Sequence, residues 1–291
     1  MAGLAALTAL LGLPGSAGAD GTQFPGTRPL GTGGAMRAMA TGDAGPMLNP
    51  SGMSLVRAYI VDGTYQYGRK AGSHDAHVSA VDSTSAFNLG GALYYTYHYD
   101  DPGAGFKDHG HILGGSLSFP FGDVVYIGGT IKYLRLTSET PLTEEETTKD
   151  ISFDVGLTVR AGRVASIGLV GYNLNDPGTQ AEPLAFGGGV AVAAIPSLVV
   201  VADAVLQKIY GDPARSKAVY VMGGAEWEAV KTLAVRLGGG RDGLSENGYI
   251  SGGVSMIAEI GALDFSFRQD VSGSVKETYL GFSGRLFVPS P

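Results

Sequence analysis

Hydrophobic and polar residues alternate with a period of two along most of the chain from residue 57 onward. Between residues 151 and 159, for example, isoleucine, phenylalanine, valine and leucine alternate with serine, aspartate, glycine and threonine. Successive side chains of a strand point to opposite faces, so this pattern predicts strands with one apolar face and one polar or small face. The segments lie at residues 57–68, 76–83, 86–98, 111–120, 124–137, 150–161, 164–174, 184–194, 198–209, 217–228, 232–241, 248–258, 261–271 and 276–287.

The length of these segments is typical of strands that cross a membrane. Most of them have 10 to 14 residues, whereas soluble strands most often have about 5 to 6 and a tilted membrane strand needs about 9 to 11. The connections also alternate between longer polar stretches, such as residues 99–110 and 138–149, and short turns, such as residues 162–163. Outer-membrane barrels have short turns at one end and longer loops at the other.

We therefore expect an all-β fold, a transmembrane antiparallel β-barrel of about 14 strands. The count falls to twelve if two weak segments, especially residues 76–83, do not span the membrane. A soluble lipocalin-like cup is an alternative, but that architecture has eight strands. Residues 183–202 carry no charge and are long enough for a membrane helix, yet Gly187–Gly189 and Pro196 interrupt them, so two strands explain them better.

Composition excludes several classes of protein. The chain has no cysteine, which rules out a disulfide scaffold, a thiolate zinc site and a cysteine nucleophile. Its 20 Lys and Arg against 27 Asp and Glu give a net charge of −7, and they form no basic patch of the kind that binds nucleic acid. There is no P-loop, dinucleotide fingerprint, HExxH or EF-hand motif. We expect no enzymatic activity, no cofactor and no nucleic-acid partner.

The first 19 residues are typical of a secretory signal peptide. An apolar stretch at residues 4–13 precedes the small residues 17–19, a cleavage pattern before Asp20. The stretch lacks the usual basic residue ahead of it, and a frayed apolar terminus is the alternative. The domains are then a signal peptide at 1–19, an irregular segment at 20–54 and a barrel at 55–291. Since the irregular segment has few large apolar residues, it would gain order only against the barrel walls, as a plug.

The irregular segment contains a run of small residues, Pro29-Leu-Gly-Thr-Gly-Gly-Ala35, and then Asn49-Pro-Ser-Gly-Met53. This pair of motifs resembles the N-terminal signature of the FadL superfamily, which includes long-chain fatty acid and hydrocarbon transporters and PorV-like proteins. The residues that carry the resemblance are Gly31, Gly33, Gly34, Ala35, Asn49, Pro50 and Gly52.

The resemblance implies a plugged barrel in the cell outer membrane that takes up or binds small hydrophobic molecules, such as fatty acids, passively. The loops after the fifth and seventh segments are shorter than in the transporters, and the former is acidic at Glu144–Glu146. The short loops favour the alternative, a PorV-like structural or secretion-accessory protein that binds other proteins through its outer loops. Expected partners are outer-membrane lipid and either a small apolar ligand or a secreted or surface protein.

Two sets of residues are candidates for the barrel interior. Ionisable residues on the polar faces should point inward, where charges of opposite sign can pair; they are Asp154, Arg160, Asp203, Glu226, Arg236, Asp264 and Arg268. Apolar residues of the plug and of a strand that is apolar on both faces could contact a ligand or one another; they are Met36, Met39, Val199, Val201 and Val205.

One predicted loop, residues 98–111, gathers several residues that can bind metals. A His-x-His pair or a group of aspartates could hold a transition metal or calcium, although a solvated loop without a metal is the simpler interpretation. The weak candidates are His98, Asp100, Asp101, His109 and His111.

Overall fold

The computed structural model describes residues 26–85, 89–103, 105–140 and 143–288. The predicted signal peptide and the first six residues of the predicted plug lie outside these ranges. The described chain begins with two short helices, α1 (Thr27–Gly31) and α2 (Gly45–Leu48), and two 3-10 helices, Gly42–Ala44 and Pro50–Leu55. Among the described residues, no helix has the length and apolar character needed to cross a membrane.

Strands make up most of the remaining chain. They are β1 (Tyr59–Gly68), β2 (Ser73–Asp82), β3 (Gly90–Gly103), β4 (Phe106–Phe121), β5 (Val125–Thr140), β6 (Thr143–Ala161), β7 (Ala165–Tyr172), β8 (Ala185–Ile195), β9 (Leu198–Lys208), β10 (Lys217–Val230), β11 (Leu233–Arg241), β12 (Gly248–Ala258), β13 (Gly261–Asp270) and β14 (Thr278–Val288). Each pairs antiparallel with its neighbours in sequence, and β1 pairs with β14, with Asp62 opposite Arg285, to close the barrel. The predicted antiparallel barrel of 14 strands is confirmed.

The weak second segment is a full strand. β2 pairs with β1 over ten residues and with β3 over nine, so the twelve-strand alternative is wrong. The strand begins at Ser73, three residues before the predicted start. The prediction missed these residues because Ser73, His74 and Asp75 are all polar and give no hydrophobic alternation.

Two predicted loops are also strand. Residues 99–103 and 106–110 continue β3 and β4, and residues 138–140 and 143–149 continue β5 and β6. These extensions are polar on both faces, so hydrophobic alternation could not reveal them. As a result β6 extends twelve residues beyond Val155, where its pairing with β7 ends at Gly171. The four strands β3–β6 therefore rise past the rest of the barrel wall.

The two ends of the barrel differ. One end of the barrel, here called the turn end, carries the short connections after β4, β6, β8, β10 and β12. The first residue of β1 and the last residue of β14 also lie there. The connections after β7, β9, β11 and β13, at residues 173–184, 209–216, 242–247 and 271–277, lie at the other end, here called the loop end.

The outward face of the wall is apolar and the inward face is polar. Leu286 points outward and is 60% exposed, whereas its neighbour Arg285 points inward and is 9% exposed. The same alternation places large exposed apolar side chains on the outside of most strands, among them Leu93, Leu117, Ile131, Val155, Ile167, Val219, Leu237 and Leu263.

Candidate functional site

The N-terminal segment, residues 26–55, crosses the interior of the barrel. Helix α1 contacts β11–β14, and the 3-10 helix Pro50–Leu55 contacts β3–β6 on the other side. Several of its residues are completely buried, including Ala35, Met36, Asn49 and Ser51. The segment gains its order from the inward faces of strands on both sides, since its own helices are only a few residues long.

Glycines in the wall make room for this segment. A Cβ atom at Gly128 of β5 would overlap the backbone of Pro50 and Ser51, and one at Gly156 of β6 would overlap the Asn49 side chain. Much of the glycine enrichment of the chain is explained by such close approach between backbones.

Asn49 is the main anchor of the segment on the β6 side. Its side-chain amide donates to the carbonyl of Arg37 at 2.8 Å and to Thr158 Oγ1 at 3.2 Å. Its Oδ1 accepts from the Ser51 hydroxyl at 2.7 Å and from the Ser51 backbone N–H at 3.3 Å, which caps the 3-10 helix that Pro50 begins. Asn49 therefore ties two parts of the segment to each other and to the wall.

The glycines of the first motif pack against the opposite wall. Gly33 has a φ of 75°, and its carbonyl accepts a hydrogen bond from the Tyr249 hydroxyl at 2.8 Å. The carbonyl of Gly31 accepts from the Ser251 hydroxyl at 3.2 Å. The other motif residues are also in tight contact: Gly34 with Met222, Ala35 in an apolar cluster, and Gly52 with the backbone of Ala40.

A chain of ion pairs joins the segment to β10–β14. Arg28 pairs with Glu226 at 2.7 Å, and Glu226 pairs with Arg236 at 2.6 Å. Burial opposes the charge on Arg28, but the carboxylates of Glu226, Asp43 and Asp264 together outweigh it and raise the pKa of the guanidinium. The chain continues with three further ion pairs: Arg236 with Asp264 at 3.2 Å, Asp264 with Arg285 at 2.9 Å, and Arg285 with Asp43 at 3.8 Å.

A second ion pair holds the middle of the segment. The Arg37 guanidinium lies 3.1 Å from the Asp203 carboxylate on β9 and donates to the Tyr172 hydroxyl at 2.9 Å. The same Asp203 oxygen accepts the backbone N–H groups of Met36 and Arg37, at 3.0 and 2.9 Å. One buried carboxylate thus fixes both the backbone and the side chain of the segment.

Apolar residues surround this ion pair. Of the predicted ligand contacts, Val201 and Val205 lie in a cluster with Ala35 and Ala38, and Val199 and Met39 pack at its edge. Met36 lies in a neighbouring cluster inside the segment, with Ala40, Ala44 and Leu48.

Two cavities meet the segment at Arg37 and Ala38. The loop-end cavity, of about 60 Å³, is lined by Arg37, Tyr172, Val205, Tyr220, Tyr249 and Arg268 among others. The turn-end cavity, of about 150 Å³, is lined by Ala38, Met39, Arg160, Val164, Ala191 and Val199 among others. Arg37 lines one cavity and Ala38 the other, so the two cavities lie on opposite sides of the N-terminal segment.

The remaining predicted interior residues also point inward. Asp154 pairs with Lys132 at 3.0 Å. Arg160 donates to the carbonyl of Leu55 at 3.3 Å at the turn end. Arg268 lies 3.8 Å over the ring of Tyr249 and pairs with Asp242 at 3.0 Å.

The connection between β7 and β8, residues 173–184, folds over the interior at the loop end. Glu182 is buried there and accepts a hydrogen bond from Ser152 at 2.8 Å. Burial raises the pKa of this carboxyl above its ordinary value, although Lys132 and Ser152 act in the opposite direction. Ala181 of the same connection packs on an apolar cluster of Met47, Tyr94, Ile112 and Leu134.

The weak metal candidates of residues 98–111 do not converge on one point. These residues belong to paired strands, so alternation divides them: His98 and Asp100 face the interior, whereas Asp101, His109 and His111 face outward. His98 instead contacts Asp75 on β2, with 2.6 Å between Nδ1 and Oδ1. Within the described parts of the chain, no group of three or more His, Asp or Glu residues is arranged to hold a metal ion.

No protein-family model and no curated protein sequence matches the chain. Solved structures do match it. A FadL homologue from Pseudomonas aeruginosa has a TM-score of 0.68 at 11% identity, over 90% of this chain and 98% of that one. The chain has a FadL-like fold. The CymD monoaromatic hydrocarbon channel matches this FadL-like barrel with a TM-score of 0.71 at 12% identity, over 91% of this chain and 98% of its own. The toluene transporter TodX of Pseudomonas putida has a TM-score of 0.66 at 9% identity, over 90% and 96% of the two chains.

Sequence reasoning missed several residues that hold the N-terminal segment of this FadL-like barrel. Arg28, Arg37 and Asp43 lie in the segment without a strand pattern, so no alternation showed where they point. Tyr172, at the end of β7, donates to the carbonyl of Leu48 at 2.5 Å as well as contacting Arg37. Unpaired charges are rarely buried, so three charges in an otherwise small and apolar segment were a usable signal of ion pairing.

Proposed function

We propose that the protein is an outer-membrane barrel that binds small hydrophobic molecules and lets them pass passively. The N-terminal segment, which covers residues 26–54 of the predicted plug at 20–54, closes its interior. The apolar outward face supports the membrane location, because a lipid-facing wall needs uncharged side chains at the depth of the acyl chains. The fold shared with a hydrocarbon channel and a toluene transporter supports a hydrophobic cargo.

The observation that favours passage is the position of the two cavities on either side of the N-terminal segment. A molecule in the loop-end cavity is separated from the turn-end cavity by the N-terminal segment, in which Arg37 lines the first cavity and Ala38 the second. Ala35, Val201 and Val205 supply apolar surface beside the buried Arg37–Asp203 pair. Movement of a short stretch of the segment, together with this pair, opens a route along that apolar surface. Passage needs no energy source, since the ligand partitions from one apolar environment to another.

The charges at the loop-end cavity favour a neutral ligand over a fatty acid anion. Both guanidinium groups that line it are already paired, Arg37 with Asp203 and Arg268 with Asp242 and Asp270. A carboxylate would therefore have to displace an existing partner, at the expense of leaving a buried charge unpaired. Small aromatic hydrocarbons meet no such barrier and can pack on the tyrosine rings of the cavity.

Uptake by whole cells tests this function. Cells that make the protein are compared with cells that lack it for uptake of radiolabelled toluene and of a labelled long-chain fatty acid. We expect faster toluene uptake and little change for the fatty acid. Equal toluene uptake in both strains, with the barrel folded in the outer-membrane fraction, would contradict the proposal.

One observation favours a second candidate, the PorV-like role of binding another protein. The long β5–β6 hairpin extends past the end of β7, and the last described contact on the β6 edge is that of Asn175 with the carbonyl of Ile151. Beyond this point the strand edge can accept an extended segment of a partner. Shortening this hairpin, by removing residues 136–147, tests the role. Loss of a co-purifying protein with unchanged toluene uptake would favour the PorV-like role over transport.

A further inference from the structure

Three neighbouring strands carry a cation or histidine at matching positions on the outside of the barrel, towards the loop end. Arg135 of β5 is opposite His111 on β4 and opposite Lys149 on β6. All three side chains point outward and are exposed. The group is called here the outer cationic row.

The row lies directly beside the apolar belt. Two residues further along each strand, the outward side chains are Leu113, Tyr133 and Ile151, with exposures of 57%, 41% and 50%. Residues two apart on a strand share a face and are separated by about 7 Å. The outer cationic row therefore marks the boundary where the lipid-facing surface ends, which is the level of lipid headgroups.

Among the residues whose side chains the structure describes, the cations of the row have no acidic partner. Arg135 and Lys149 make no hydrogen bond or ion pair with any other residue that the structure describes. Asp150 follows Lys149 in sequence but lies on the opposite face of β6. The nearest outward acids along these strands, Glu139 and Glu145, are four residues away, or about 13 Å along the strand.

Two like charges directly opposite each other in a sheet are destabilising. The arrangement of Arg135 and Lys149 is therefore unfavourable in the isolated chain and becomes favourable when an anion sits between them. A planar guanidinium beside an ammonium group suits a phosphate, whose several oxygens accept charge-assisted hydrogen bonds.

His111 adds a fixed third donor. Tyr95 contacts the Nδ1 atom of His111 at 2.6 Å, and the two rings stack with their centroids 5.9 Å apart. Tyr97 packs on the same imidazole, with 5.3 Å between centroids. When the Tyr95 hydroxyl donates to Nδ1, the proton of the imidazole is on Nε2 and is available to an outside acceptor.

We propose that His111, Arg135 and Lys149 bind a phosphate group in the headgroup of an outer-leaflet lipid. The site has the chemistry that such a headgroup requires: two cations that no described residue pairs, a preoriented imidazole, and a tyrosine-rich apolar surface alongside for the acyl chains. The proposal rests on the outer-membrane location of the barrel but not on its transport activity.

The barrel offers a matched control for this site. Lys208 of β9 and Lys217 of β10 are also opposite each other and point outward at the loop end. Lys208, however, is neutralised by Asp176 at 2.7 Å. Replacing these two lysines by glutamine removes the same charge from the same end of the barrel and leaves the outer cationic row intact.

Native mass spectrometry of the full-length protein in mild detergent tests the site, with diphosphorylated lipid A as the probe and phosphatidylethanolamine as the competitor. A surface cation contributes roughly a fivefold change in binding to an anionic lipid surface. We expect the double variant Arg135→Gln, Lys149→Gln to retain lipid A about 20- to 30-fold less well than the unaltered protein. The control variant should retain it within about threefold.

Equal retention by both variants would overturn the proposal, whether both bind as the unaltered protein does or both bind less. Heat-modifiable gel mobility must show that each variant is folded before the comparison is made. The same gel assay on isolated membranes separates this question from the proposed function. Absence of the protein from the outer membrane contradicts the location. If the barrel is present there but does not bind lipid A, only the lipid site is contradicted.

Discussion

A single carboxylate oxygen of Asp203 accepts two backbone N–H groups and the guanidinium of Arg37, all at 2.9 to 3.1 Å. These three contacts hold the N-terminal segment between the two cavities, where Arg37 lines one and Ala38 lines the other. The relationship joins structure to the proposed function, because the strength of this contact sets how readily the segment moves.

Replacement of Asp203 by asparagine should loosen the segment. Removal of one partner of a buried ion pair destabilises by about 3 to 5 kcal/mol, and the side chains of Arg37 and Asp203 are 7% and 0% exposed. We expect conductance in planar bilayers to rise and the temperature of the gel-mobility shift to fall. Asp176→Asn is the control, since its exposed pair with Lys208 contributes less than about 1 kcal/mol; equal effects of the two variants would contradict the account.

Alanine at Gly128 should displace the segment from the wall. A Cβ there would overlap the backbone of Pro50 and Ser51, which cannot move without breaking the contacts of Asn49. Overpacking of this kind costs about 1 to 3 kcal/mol. Limited proteolysis should cleave the N-terminal segment faster in this variant. Gly63→Ala, where a Cβ meets no atom within 4 Å, should leave the cleavage rate unchanged, and faster cleavage there as well would show that the effect is not specific.

Alanine at Asn49 should release the same segment through lost hydrogen bonds. Thr158, Ser51 and the carbonyl of Arg37 would each lose a partner in a buried site, at about 1 kcal/mol or more per group. Hydrogen exchange of the backbone amides in residues 37–52 measures this release. Asn175→Ala is the matched change at an exposed site, where the lost bond to the carbonyl of Ile151 is 2.7 Å long, and it should leave exchange in the segment unaltered.

The connection between β7 and β8 should make stability depend on pH through Glu182. The pKa of this buried carboxyl is raised in the folded protein, so the folded state binds a proton more tightly than the unfolded chain. The unfavourable effect of its burial is therefore absent below the unfolded pKa and develops as pH rises through the folded pKa. Glu182→Gln should raise the gel-shift temperature at pH 8 more than at pH 4, and a pH-independent change would contradict this assignment.

The sequence predicts the barrel because the wall repeats one simple pattern. Leu286 outside and Arg285 inside follow from alternation alone, as do the inward positions of Asp203 and Asp264. The pattern fails where both faces are polar, which is why the strand character of residues 99–103 and 143–149 was not predicted. It also gives no information about Arg28 and Arg37, because their positions depend on partners 198 and 166 residues away along the chain.

The central claim is that movement of the segment at Arg37 and Ala38 opens the route between the two cavities. The chain has no cysteine, so a disulfide can be introduced without competing thiols. The Ser166 hydroxyl of β7 donates to the carbonyl oxygen of Ala38 at 2.6 Å, so the two residues are adjacent. The pair Ala38→Cys and Ser166→Cys is designed to join the segment to the wall, with disulfide formation verified by mass before uptake is measured. The most direct measurement is toluene uptake by cells that make this double variant, before and after reduction, with each single variant as control. The account predicts low uptake when the disulfide is formed and recovery on reduction; unchanged uptake with the disulfide formed would contradict it.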